Sequence, residues 1–111
     1  MGFINLTPHP VTIVGGPTFP SSGIARARTS TVLVDVIADI AIVEETLGAP
    51  EWPEGFSPKA VDRLIVSRVF ADSVKRNGTP LPTGCRLYCP GNLARDDAGN
   101  IIGCHNLIRL V

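Results

Sequence analysis

The sequence predicts an α+β fold that is mostly β: a small antiparallel or mixed sheet, or a barrel, with one short helix over about residues 68–76. Three observations carry this. Ten prolines and eleven glycines cut the 111 residues into short runs, which suits strands and turns rather than a helical bundle. Hydrophobic residues make up 44% but aromatics only 5%, so the core is built from Val, Ile, Leu and Ala, many of them β-branched. One segment, Arg68 to Arg76, carries helix signals at both ends. The length is that of a single domain, 1–111.

The first strand is read at Phe3 to Thr7, where Ile4 and Leu6 alternate with Asn5 and Thr7. Pro8 offers no N–H to a ladder, so this strand lies at an edge or ends there. Val11 to Val14 is a second run, stopped by Gly15-Gly16-Pro17. Ile24 to Thr29 alternates with period two, which puts Arg26 and Arg28 on one face and Ala25 and Ala27 on the other. Thr31 to Val34 continues that strand, and Ile37 to Val43 reads as another. A helix over Val34 to Leu47 fits the same residues, and both readings stay open. Residues 48–58 hold three prolines and two glycines and read as a mobile loop, with Trp52 as its anchor. Arg63 to Val66 reads as a buried strand, and Ser67 caps the helix that follows by accepting an orphan N–H. Phe70 and Val74 share its inner face, Lys75 and Arg76 suit its C-terminus, and Asn77-Gly78 ends it. Cys85 to Cys89 is a further strand, and Pro90-Gly91-Asn92 reads as a turn. Asp96 to Asn100 closes a hairpin between Leu93-Ala94-Arg95 and Ile101-Ile102-Gly103, before a last strand over Asn106 to Val111.

Ten basic and ten acidic side chains cancel. That balance gives no field to hold a nucleic-acid polymer or an anionic membrane, and it lowers the barrier to homo-oligomerisation. The apolar stretch from Thr31 to Val43 is too short for a membrane span and contains Asp35 and Asp39. The N-terminus shows no secretory pattern, and three cysteines, an odd number, fit a reducing cytoplasm.

Four constellations could carry chemistry. An extended Asn5-Leu6-Thr7-Pro8-His9 would set Asn5, Thr7 and His9 along one polar strip facing a ligand. The ordinary alternative is that Asn5 and Thr7 bond neighbouring turns while His9 is solvated, and spacing alone favours it. Arg26 and Arg28 could grip phosphate or carboxylate, although pairing with surface acids is the commoner fate of such arginines. Ser67 and Arg68 stand where a helix N-terminus could hold phosphate, but their flank lacks the glycines of a P-loop or a nucleophile elbow. Cys85, Cys89, Cys104 and His105 have poor spacing for zinc and read as buried thiols, so no metal and no cofactor are expected. Arg95 joins the basic residues that could meet a phosphate.

Asn5-Leu6-Thr7-Pro8-His9 resembles the signature of a group of small phage and bacterial proteins. The resemblance extends to Asp62 with Ile65-Val66-Ser67, and to Ala94-Arg95-Asp96 with Gly99-Asn100-Ile101-Ile102-Gly103. It implies a phage-type setting, where small proteins without catalytic motifs include oligomeric sponges that sequester nucleotide-derived signals of host defence. The expected function is binding of a small nucleotide-like ligand in the host cytoplasm by Asn5, Thr7, His9, Arg26, Arg28, Ser67, Arg68 and Arg95. Two alternatives stand beside it. One is a protein-interaction or virion accessory module with Trp52 as contact; the other is a small hydrolase or lyase with His9 as general acid or base.

Overall fold

The computed structural model describes residues 2–111. Along the chain run β1 (Ile4–Asn5), β2 (Val11–Thr12), β3 (Thr18–Phe19), β4 (Arg26–Ile37), β5 (Ile40–Glu51), β6 (Arg63–Ile65), α1 (Arg68–Arg76), β7 (Arg86–Arg95) and β8 (Ile101–Arg109). The predicted class holds: strands dominate and one short helix is present. The sheets are open, and the barrel alternative is not realised.

The body is a four-stranded sheet in the order β1-β6-β7-β8, with β1, β6 and β7 parallel and β8 antiparallel to β7. β1 ends before Pro8, and its far side is lined by residues 21–25, through Ser22 N–H to Asn5 O (2.8 Å) and Ala25 N–H to Leu6 O (2.9 Å). Leu6, Leu64, Val66 and Leu87 are sealed against Phe70, Ala71 and Val74 of α1. Ile65 points to the opposite face and joins Val11 and Cys104, with Phe3, Phe19 and Leu107 packed around them.

Ser67 caps α1 as expected, its Oγ accepting from Phe70 N–H at 3.1 Å. The other end closes as a Schellman motif. Gly78 N–H reaches Lys75 O, Thr79 N–H reaches Val74 O, and Gly78 sits at φ 58°. Asn77 adds its side-chain amide to Ser73 O (2.8 Å) and to Gly48 O (3.0 Å), which ties the helix to the base of β5.

Residues 34–47 are strand and turn, not helix. β4 and β5 form one antiparallel hairpin, called the arm below, that turns at Ala38-Asp39 with both φ angles positive (51° and 62°). That is the conformation of a type I′ turn, the one whose twist matches paired strands. The segment 48–58 divides: Gly48–Glu51 complete β5, and the irregular chain begins at Trp52. Two bulges interrupt the arm, one opposite Arg28 and one at Val34. At the first, a Cβ on Gly48 would lie 2.9 Å from Arg28 O, so this position requires glycine.

Pro90-Gly91-Asn92 is not a turn, because β7 runs through it paired to β8. Tyr88 O accepts Val66 N–H, so alternate residues of β7 face β6, and Pro90 meets that side only after β6 has ended. Its missing N–H therefore costs no ladder bond. The Asp96–Asn100 loop closes the hairpin as expected. Asp96 Oδ1 accepts from Ala98 N–H and Asn100 N–H, both at 2.9 Å.

Candidate functional site

The Asn5-Thr7-His9 strip is not an open row of ligand-binding groups. Asn5 is 1% exposed. Its Nδ2 donates to His9 O (2.8 Å) and Phe19 O (2.9 Å), and its Oδ1 accepts Thr7 N–H (3.0 Å) and lies 2.6 Å from Thr7 Oγ1. Both amide protons and both oxygen lone pairs are thus committed inside the chain. The extended conformation needed to align the three side chains ends at Asn5, and residues 7–9 bend around its amide. Ser21 Oγ then donates to Thr7 O at 2.6 Å, fastening the bend from outside. Thr7 is half-buried and His9 is exposed.

The basic candidates are dispersed. Arg28 is ion-paired with Glu51 at 2.7 Å on an open surface. Arg68 reaches over Cys89 Sγ at 3.8 Å, and Arg95 donates to Gly99 O at 2.9 Å, bracing the hairpin loop. Arg26 and Ser67 do come together. With Thr7, Pro8 and Ala25 they line a shallow depression of about 410 Å³ near the start of α1.

The thiols of Cys85, Cys89 and Cys104 are buried and unpaired. Burial pushes the Cys85 thiol above its ordinary range, and the Asp62 carboxylate adds to the rise against the opposing Arg86. Burial also raises Cys104, against backbone hydrogen bonds from Gly91 and Asn106. Such thiols stay protonated at neutral pH and are poor nucleophiles and metal ligands. Among the described residues, no three His, Cys, Asp or Glu side chains gather as a metal-ligand group. Among them too, no helix is long and apolar enough to cross a membrane.

Two surfaces escaped the reading of the sequence. One is an apolar groove of about 580 Å³ beside the hairpin β7–β8, lined by Pro10, Val11, Pro90, Leu93, Ile101 and Ile102, with Thr7 and His9 at its rim. β2 lies so close to β8 there that a Cβ on Gly103 would stand 2.8 Å from Thr12 O. The other is the arm. Its base leans on α1, where Thr29, Glu45 and Leu47 face Val69, Asp72 and Arg76. Beyond that support, large apolar side chains stand in water on both faces, including Leu33 at 60% and Ile40 at 62% exposure. The signal was present in the runs Thr31–Val34 and Ile37–Val43, which are apolar without a clean period of two.

Trp52 is an anchor, as its place in the Pro/Gly-rich segment predicts, and not the contact residue of the protein-interaction alternative. Its ring meets Phe70 edge-on at 4.9 Å and lies 5.8 Å from Phe56. Compared with known proteins, the chain matches no family model, no curated sequence and no solved structure.

Proposed function

We propose that the protein is a binding module that works by surface association, with the arm of β4 and β5 as its interaction element. One observation carries this: eight large apolar side chains between Val32 and Val43 are left in water on a two-stranded ribbon. A ribbon of two strands gains little stability alone, and monomeric proteins seldom expose apolar patches beyond a few hundred Å². In the phage-type setting that the sequence resemblance implies, such a module belongs to an assembly or acts as an accessory to one.

The test replaces residues 32–44 by Asn-Gly, which joins the paired residues Thr31 and Glu45 through a two-residue turn. The expected result is a folded body with unchanged amide protection in β6, α1 and β7, and no self- or partner association. An intact protein that stays monomeric at high concentration, with its arm amides already protected, would contradict the proposal.

A second reading is the sequestration of a nucleotide-like ligand. It is favoured by the convergence of Arg26 and Ser67 on one depression with Thr7, where a guanidinium and the Ser67 hydroxyl proton could meet a phosphate. It expects a thermal shift with cyclic or ADP-ribose-type nucleotides, release of intact ligand, and loss of the shift in Arg26→Ala. No shift across such a panel would remove it.

A further inference from the structure

The arm and the groove are complementary surfaces of one chain. Residues 29–47 contain four carboxylates, Asp35, Asp39, Glu44 and Glu45, and no Lys or Arg. The rest of the chain therefore holds all ten basic side chains against six acidic ones. An acidic, apolar outer arm (29–47) is thus carried by a basic remainder, in which Arg26 and Arg28 of the arm's own base are counted. Pairing two such arms edge to edge would bring like charges together, whereas laying an arm on a body brings opposite charges together.

The body also offers an apolar seat. Leu93, Ile101 and Ile102 are each about half exposed around the 580 Å³ groove, so this face too is uncovered. Arg95 is paired across the hairpin with Ile101, which lines the groove. The arm's distal half leaves eight large apolar side chains 37–62% exposed, the kind of patch that a stable interface of roughly 800 Å² per partner covers. A radius of gyration of 16.6 Å, against about 13 Å for a compact chain of this length, shows how far the single chain departs from a closed shape.

From these observations we infer that the occupant of the groove is the arm of a second copy of this chain, and that the protein is a homo-oligomer built by arm exchange. The smallest closed form is a two-fold pair in which each arm lies in the other's groove. The inference rests on the arm being the interaction element and adds its partner and its seat.

The test uses two full-length variants with altered exposed residues, Leu33→Lys/Ile40→Lys in the arm and Leu93→Asp/Ile102→Asp in the groove. Circular dichroism confirms that each is folded. Wild type is expected to be oligomeric by native mass spectrometry and sedimentation, and each variant alone monomeric. Mixing the two is expected to restore a heterodimer, because the arm variant keeps an intact groove and the groove variant an intact arm. An oligomer that survives the groove substitutions would overturn the arm-to-groove contact. A monomeric wild type would overturn the inference outright. In that monomer, fast amide exchange in the arm would leave the arm free for a foreign partner, while slow exchange would also sink the proposed function. If the variants misfold, Leu33→Gln/Ile40→Gln and Leu93→Ser/Ile102→Ser replace them, with the same outcomes deciding.

Discussion

Asn5 donates to two carbonyls from separate parts of the chain, His9 and Phe19, and accepts from the backbone of Thr7. A side chain so engaged has nothing left for a ligand, and its work is to hold residues 7–9 in their bend against residues 17–21. Removing it takes the side-chain partner from Phe19 O and Thr7 N–H, each worth about 1–3 kcal/mol when left unpaired, while His9 O keeps the Thr7 hydroxyl at 3.0 Å. Asn5→Ala is therefore expected to cost about 3 kcal/mol in denaturant unfolding. Asn5→Asp should cost at least as much at neutral pH, because a carboxylate cannot donate to either carbonyl. A melting temperature unchanged by both would return Asn5 to the ligand-binding candidates. The same pattern recurs in three other polar residues. Ser67 caps a helix, Asp62 accepts Lys59 N–H at 2.8 Å, and Asp96 organises a turn. Ser67 and Asp96 were legible in the sequence because their partners are two to four residues away. The burial of Asn5 was not, because Phe19 lies fourteen positions along the chain.

Among the elements, α1 was legible at both ends, since a cap and a Schellman motif are written in adjacent residues. The arm was not. Its bulge at Val34 shifts the register, so the cross-strand pair Leu33 and Val43 lies on one face while Asp35 and Ile42 lie on the other. Apolar residues then occupy both faces, and the alternation that marks a half-buried strand is lost. Its turn also lacks the usual residues. Ala38 and Asp39 adopt positive φ where Asn-Gly is the favoured pair. Replacing them, Ala38→Asn with Asp39→Gly, is expected to stabilise the hairpin by about 1 kcal/mol, slowing amide exchange beside the turn about fivefold. Unchanged or faster exchange would mean that the turn is not type I′ in solution. The reading of Pro90-Gly91-Asn92 as a turn failed for a related reason. Those residues mark turns where a ladder must stop, but here the neighbouring strand β6 stops first and the sequence does not show where it ends.

At the scale of the molecule, charge and apolar surface are unevenly divided. The body seals its core around Phe70, Leu64 and Leu87, each fully buried, while the arm and the face beside β7 and β8 do not. Zero net charge conceals this division, because the acidic arm and the basic remainder cancel in the total. The sequence pointed to self-association through that total, but the residues responsible emerge only when the hairpin is seen to project. On the proposed function, the arm is a surface that a partner covers. Hydrogen exchange of the arm amides between Val32 and Val43, measured on separated monomeric and assembled fractions, tests it most directly. Fast exchange is expected in the monomer, and protection in the assembly by at least tenfold, a difference of about 1.4 kcal/mol or more. Equal protection in both fractions, or protection in a protein that never assembles, would contradict it.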